Sequence, residues 1–225
     1  MDFIFEGRSS DSPFVDSIWR TQSKKGGSFI SLAESHWGMV ITRQSSRIFL
    51  TIRGPETKAE PAPVPVYADI FGISFKLGTF MPHLPARNLV DRELTLPEAL
   101  SKSFWLDGSV WQFPDFENVD TFIDRLVRRE MLVREPVVEA ALLDQREEVS
   151  LRSVQRRFLS ATGLTHIAVR QIERARQALT LLQQGTSILD TVYETGYSDQ
   201  AHMTRSLKYL MGQTPTQIVR QSAPD

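Results

Sequence analysis

The sequence predicts an α+β protein with a β-rich N-terminal domain and an all-α C-terminal domain. Up to about residue 112, short runs rich in Ile, Val, Phe and Thr are separated by Gly and Pro, which is typical of strands and turns. From residue 118 onward, apolar residues recur at steps of three and four, which indicates helices. A chain of 225 residues can bury two cores. We therefore predict domains of residues 1–131 and 132–225.

Several short strands are predicted in the N-terminal domain. The clearest covers residues 69–80, where Phe71, Ile73 and Phe75 alternate with small or polar residues, as in a strand buried on one face. Residues 54–65 hold too many prolines for a helix or a central strand, so we expect an exposed loop. Many strands with few helical patterns favour a sandwich or small barrel. The other predicted strands are residues 28–33, 37–42 and 47–52.

An amphipathic helix with Asn118 as its N-cap is predicted next. Its apolar stripe suits either a homodimer contact or a cover for the open face of the β domain, and both roles stay open. Residues 131–136 are then expected to connect the domains. The stripe consists of Val119, Phe122, Ile123, Leu126 and Val127.

The sharpest pattern of the C-terminal domain is a helix, a tight turn and a second helix. Ile188 and Val192 mark the buried side of the first helix, Gly196 supplies the turn, and Ser198 or Asp199 can cap the second helix.

The second helix of this pair has two distinct faces. Met203, Leu207 and Leu210 are predicted to point inward. Gln and Arg suit bidentate hydrogen bonds to adenine and guanine edges, and Lys suits a phosphate, so the outward face is predicted to read double-stranded DNA. That face carries Gln200, Ala201, Thr204, Arg205 and Lys208, and His202 either contacts DNA or packs at the start of the helix.

A similar pair of helices is predicted upstream. Its first helix begins near residue 137, and Ser150 caps a second helix in which Val154 and Phe158 point inward. A long helix through residue 183 joins the two pairs and holds the reading helices about 34 Å apart, the spacing of successive major grooves on one side of DNA. The predicted DNA contacts of the upstream pair are Arg152, Ser153, Gln155, Arg156 and Arg157.

These motifs carry a family resemblance. The run from Gly196 to Lys208, followed by Gly212-Gln-Thr-Pro215, is similar to the signature of the AraC/XylS family of bacterial transcription regulators, and residues 150–165 resemble that family's first recognition helix. The resemblance implies a cupin-like or jelly-roll effector domain at the N-terminus. Asp144 and Glu148 replace the family's usual small residue and glycine, so the first turn is expected to be built differently.

The resemblance also implies partners beyond DNA. It points to a small-molecule effector, to a homodimer, and to RNA polymerase if the protein is an activator. The run from Gly72 to Gly78 is similar to a poorly characterised N-terminal domain found in a subset of these regulators. Aromatic side chains of the β region could line an effector pocket, although plain core packing explains most of them.

Composition excludes several other classes. With no cysteine there is no disulfide, thiol nucleophile or Cys-bearing zinc site. The net charge of −1 does not indicate a general polyanion binder, whereas arginines crowd residues 152–176. No apolar run approaches the roughly 20 residues of a membrane span, and the N-terminus lacks a signal-peptide layout, so we expect a cytoplasmic, nucleoid-associated protein.

We find no catalytic constellation and expect no enzyme activity, cofactor or metal. The alternative is a metal-dependent, cupin-like enzyme domain fused to a DNA-binding module. Such a site needs several ligands that converge, and the β region offers His36 and His83, with Glu34 close to His36 in sequence.

Overall fold

The computed structural model describes residues 6–100, 102–143, 145 and 150–222. Its contacts divide the chain into two compact units, and neither is one continuous stretch. The predicted domain boundary between residues 131 and 132 divides the chain at one point in the sequence, whereas the compact units are discontinuous, so that boundary stays a prediction. We call the first unit the sheet unit, which holds Met1–Ser28, His36–Pro55 and Pro63–His166, and the second the helix unit, which holds Phe29–Ser35, Glu56–Ala62 and Ile167–Asp225.

The sheet unit is built around an open six-stranded antiparallel sheet with strand order β1-β2-β7-β4-β5-β9. Smaller sheets pair β10-β11-β12 and β13-β8, and a further two-stranded ribbon, β3-β6, has most of its residues in the helix unit. The described strands are β1 (Glu6–Arg8), β2 (Val15–Ser23), β3 (Gly27–Ser31), β4 (Gly38–Gln44), β5 (Arg47–Arg53), β6 (Glu60–Val64), β7 (Ala68–Phe75), β8 (Thr79–Phe80), β9 (Glu93–Thr95), β10 (Glu98–Leu100), β11 (Ser103–Leu106), β12 (Ser109–Gln112) and β13 (Val133–Arg134).

The predicted strand of residues 69–80 is present as β7, followed by β8. Both faces of β7 are covered, whereas the sequence pattern predicted one buried face. The reason is Gly72, because a Cβ placed there would lie 2.2 Å from the indole ring of Trp19. The small residues opposite Phe71 and Phe75 therefore make room for a tryptophan from β2.

One sequence expectation for the N-terminal half is wrong in part, and one long strand was not predicted. Residues 60–64 of the Pro-rich stretch form β6. Among the described residues β6 pairs with β3 alone, so its prolines occupy a two-stranded ribbon instead of an exposed loop. The long strand β2 was missed because its polar side chains hide the alternation and the register shifts between Val15 and Ser17.

The first helix, α1 (Val119–Arg128), covers the sheet. Its apolar stripe belongs to the same buried core as Ile18, Leu50 and Phe75, so the stripe takes the second of its two predicted roles. Asn118 occupies the N-cap position without a capping bond, because its side-chain oxygen accepts the backbone N–H of Asp115 at 3.0 Å.

Six further α-helices follow in the part of the chain that the structure describes, and they include both predicted helix pairs. The linker helix survives as predicted, with Ala178 more deeply buried than Leu179. Within the described residues, no helix is long and apolar enough to cross a membrane. The helices are α2 (Pro136–Leu142), α3 (Leu151–Thr162), α4 (His166–Gln183), α5 (Ile188–Glu194), α6 (Gln200–Leu210) and α7 (Pro215–Ser222).

Candidate nucleic-acid interface

The second helix pair, α5 and α6, is capped at both N-termini. The hydroxyl of Ser187 accepts the backbone N–H of Asp190 at 3.1 Å, and the Asp199 carboxylate accepts the N–H of His202 at 2.6 Å. Gly196 has φ +68°, a left-handed turn that favours glycine. These bonds fix where α6 begins, and Asp199 takes the cap that the sequence left open between two residues.

The carboxylate of Asp199 is held in its charged form. The backbone N–H of His202, followed by the Ser198 hydroxyl, lowers the pKa of Asp199 below its usual 3.8. A negative charge at this position also complements the N-terminal end of the helix dipole.

Helix α6 has one buried face and one polar face. Met203 and Leu207 are fully buried and Leu210 is nearly so, as predicted. The hydroxyl of Thr204 donates to the carbonyl of Gln200 at 2.8 Å, so Thr204 is partly engaged by its own helix. The predicted contact residues on the exposed side are Gln200, Ala201, His202, Arg205 and Lys208, with Thr204 half-buried.

His202 is both exposed and packed. Its ring meets the Tyr197 ring edge to face, with centroids 5.1 Å apart, and its Nδ1 lies 3.1 Å from the Ser198 hydroxyl. Burial raises the pKa of Tyr197, although the Ser206 hydroxyl and the Arg174 guanidinium, which lies 5.5 Å above the ring, partly offset this effect. Tyr197 is therefore a neutral anchor at the start of the reading helix.

The helix α3 is the predicted reading helix of the first pair. The Ser150 hydroxyl accepts the N–H of Ser153 at 3.3 Å and donates to the Ser153 hydroxyl at 3.1 Å. Phe158 is buried and Gly163 ends the helix with φ +75°. The predicted contact residues here are the exposed Arg152, Gln155 and Arg156 and the half-buried Ser153 and Arg157.

Arg157 differs from the other predicted contacts because it forms an ion pair within the protein. Its guanidinium donates to the Glu135 carboxylate at 3.0 Å through Nε and at 2.6 Å through Nη2. Glu135 is also the N-cap of α2, where it accepts the N–H of Val137 at 3.2 Å. This ion pair joins the two helices of the first pair.

The Arg-rich stretch around α3 and α4 is thus only partly available to an outside partner. Arg157 pairs with Glu135, and Arg176 pairs with Glu34 at 2.7 Å. Asp144 and Glu148, where the first turn departs from the resembling family, lie outside the described residues. The predicted contacts lie on two helices, with α3 in the sheet unit and α6 in the helix unit.

The sheet unit also contains an open cleft of about 520 Å³. Ile41, Phe71 and Phe116 supply an apolar surface, while Arg43 and Asp69 lie opposite each other on β4 and β7. An apolar floor with a few polar groups at the rim is the usual composition of a small-molecule site. The family resemblance implied an effector pocket, and of the cleft's residues Phe71 and Phe116 are aromatic.

The histidines proposed for the metal-enzyme alternative lie in loops. His36 lies in a bend and Glu34 forms an isolated bridge with Glu56, so the two do not share a strand. His83 is partly exposed, and its Nε2 lies 3.8 Å from the carboxylate of Asp107.

Comparison with known proteins agrees with the helices that follow α2. Residues 143–221 match the family described as a helix-turn-helix domain. This match shows that the chain carries a helix-turn-helix domain, a class of domain that binds DNA. Its C-terminal region is an AraC-type helix-turn-helix domain, as the resemblance indicated. A search of curated proteins finds no similar sequence.

Three solved structures of ToxT from Vibrio cholerae are similar over nearly the whole chain. One shares 12% identity, covers 96% of this chain and 98% of ToxT, and has a TM-score of 0.41. A second, bound to (E)-4-(8-methylnaphthalen-1-yl)but-3-enoic acid, shares 11% identity, covers 97% and 99%, and scores 0.42. The third shares 9% identity, covers 98% and 99%, and scores 0.42.

Proposed function

We propose that this protein binds DNA sequence-specifically and regulates transcription by reading two neighbouring major grooves with α3 and α6. The observation that carries the proposal is the exposed polar face of α6, on a helix with a fixed start and a buried opposite face. Two reading helices in one chain would occupy two grooves without a dimer. The proposed DNA-binding segment is residues 132–225, and we infer no catalytic activity.

Each predicted contact has a role in this proposal. Gln200 and Arg205 on α6, and Gln155 and Arg156 on α3, suit bidentate contacts to base edges. Lys208 suits a DNA phosphate. Arg157 would contribute positive charge near the DNA backbone while it keeps its ion pair with Glu135. The supporting contacts come from Arg152, Ser153, Ala201, His202 and Thr204.

Selection from a pool of random duplexes tests the proposal. The intact protein should enrich one site composed of two short motifs about one helical turn apart. A matched variant with Gln155, Arg156, Gln200 and Arg205 all changed to Ala should enrich nothing. Binding without preference that weakens steeply with salt would leave only nonspecific phosphate attraction and contradict the proposal.

We further propose that an effector binds the cleft of the sheet unit. The composition of the cleft suits a small molecule with an apolar body and at least one charged or polar group. An effector would change DNA binding only through a difference in affinity between two arrangements of the protein. We also propose that the protein forms a homodimer, and that it contacts RNA polymerase if it is an activator. Activation or repression would follow from the arrangement that the effector favours.

A thermal-shift screen tests the effector proposal. A compound that raises the unfolding temperature of the intact protein should lose this effect in Arg43→Ala. The matched control is Arg47→Ala, an exposed arginine of β5 outside the cleft lining. If no compound gives a shift, or if Arg43→Ala keeps it, the cleft is not the effector site. Metal analysis of the same sample tests the enzyme alternative, which requires stoichiometric metal.

A further inference from the structure

Two segments from the N-terminal half of the sequence belong to the helix unit. They are residues 29–35 and 56–62, called here the inserted segments. They are joined to each other, because Glu34 and Glu56 exchange backbone hydrogen bonds of 2.9 and 2.8 Å. The Ser31 hydroxyl also donates to the Glu56 carboxylate at 2.5 Å.

The inserted segments cap the C-terminal end of α6. The last carbonyls of a helix have no partner within the helix and must find one elsewhere. The backbone N–H of Ala59 donates to the carbonyl of Tyr209 at 3.0 Å, and that of Ala33 donates to Leu210 at 2.8 Å. Residues far away in sequence therefore complete the hydrogen bonding of the reading helix.

The inserted segments are also fixed to the linker helix α4. Arg176 pairs with the Glu34 carboxylate at 2.7 Å and donates to the carbonyl of Ala33 at 3.2 Å. The Ser35 hydroxyl donates to the carboxylate of Glu173. We call these contacts of the inserted segments with α4 and α6 the clamp, because together they hold the C-terminal end of α6 relative to α4.

The clamp leaves the predicted reading face open. Gln200, Arg205 and Lys208 remain exposed on α6 while the clamp holds Tyr209 and Leu210. A contact that blocked DNA would cover the polar face. The arrangement instead supports a helix that binds DNA with the clamp in place.

We propose that the inserted segments are part of the DNA-binding unit and position α6, so that recognition at the second half-site depends on residues from the N-terminal half. This inference rests on the proposed function. The chain passes between the two units at residues 28/29, 35/36, 55/56, 62/63 and 166/167, and the first four of these crossings bound the inserted segments.

Charge reversal in the intact protein tests the clamp. Arg176→Glu and Glu34→Arg each remove the ion pair, and the double variant restores an attraction of opposite polarity. Discrimination is the ratio of the affinity for the selected duplex to the affinity for a duplex with a scrambled second half-site. We expect each single variant to reduce this ratio by about three- to tenfold. Discrimination at the first half-site should stay, and the double variant should recover most of the loss.

The control is a matched ion pair of the sheet unit. Arg8 and Asp120 also lie 2.7 Å apart with similar exposure, and Arg8→Glu should leave both half-sites unchanged. Unfolding midpoints are measured for every variant. An equal loss at both half-sites with a lowered midpoint would indicate general destabilisation and overturn the inference.

A glycine pair gives a second test that changes no charge. Gly212 has φ +71°, and a Cβ there would lie 2.9 Å from Cγ2 of Ile30 and 3.3 Å from Cβ of Ala59. Gly185 has φ +89° and a Cβ there meets nothing within 4 Å. Both Ala variants strain the backbone, but only Gly212→Ala should weaken the second half-site.

The two proposals fail in different ways. If the wild-type protein selects no duplex, the proposed function is contradicted and this inference falls with it. If the wild type selects a bipartite site and the clamp variants keep full preference at the second half-site, the inference alone is overturned.

Discussion

The two helix-turn-helix pairs of this chain use their arginines differently. In the second pair, Arg205 lies on an exposed face of α6, and the position of the helix is fixed by apolar packing, by the Asp199 cap and by backbone caps from the inserted segments. In the first pair, Arg157 of α3 joins its helix to Glu135 through two hydrogen bonds. In the proposed function, stability and DNA binding would therefore depend on separate residues in the second pair and would share Arg157 in the first.

The largest expected difference comes from the buried anchor of each pair. Phe158→Ala in α3 and Met203→Ala in α6 each remove a fully buried side chain and should cost about 2 to 5 kcal/mol of unfolding free energy. Urea unfolding measures the loss. Because the anchors belong to different compact units, Phe158→Ala should weaken the first half-site and Met203→Ala the second. Loss of the same half-site in both variants would contradict this comparison.

The next effect concerns the two arginines proposed to read bases. Arg156→Ala and Arg205→Ala should each reduce affinity by about 1 to 3 kcal/mol and relax preference at one base position, each in a different half-site. Binding to a panel of single-base variants of the selected duplex measures this. The control is Arg128→Ala, an exposed arginine of α1. A uniform loss on every duplex would identify a phosphate contact instead.

A smaller effect separates Arg157 from Lys208. Lys208→Ala should reduce the slope of log affinity against log salt by about 1 without changing stability. Arg157→Ala should change the slope less, because Glu135 already compensates its charge, and should lower the unfolding free energy by at most about 1 kcal/mol. Titrations at several salt concentrations, with unfolding midpoints, test both. Equal slopes with unchanged midpoints would remove the distinction.

The smallest effect is the difference in pH dependence between two helix caps, Asp199 of α6 and Ser150 of α3. The pKa of Asp199 is lowered, so its stabilisation is present above 3.8 and is lost as pH falls through the lowered pKa of the folded protein. Asp199→Asn keeps an uncharged cap, so its difference from wild type should shrink in acid. Ser150→Ala should cost about 1 kcal/mol at every pH, because Ser150 does not titrate in this range. Unfolding midpoints from pH 2.5 to 7 measure both differences, and a constant Asp199 difference would contradict the charged cap.

Local patterns predicted much of this molecule. Capping residues, the left-handed Gly196 and the apolar stripes of α4 and α6 act within a few residues, so the sequence reports them directly. The same holds for the alternation of Phe71, Ile73 and Phe75 in β7.

Features that depend on distant partners could not be predicted. Nothing near Ala33 or Ala59 signals that their N–H groups cap α6, because that bond joins residues more than 100 positions apart. Gly72 is explained by Trp19, and Arg157 by Glu135, which are also long-range contacts. In α5 the fully buried residue is Thr191, whereas Ile188 and Val192, which were predicted to be buried, are half-buried. Thr191 can be buried because its hydroxyl donates to the carbonyl of Ser187 at 2.9 Å.

Footprinting of the intact protein on its selected duplex tests the central claim most directly. Hydroxyl-radical and base-methylation protection should appear in two adjacent major grooves on one side of the duplex, with centres about one helical turn apart. Arg156→Ala should weaken protection in one groove and Arg205→Ala in the other. Protection of a single groove, or loss of the same groove in both variants, would show that α3 and α6 do not read DNA together.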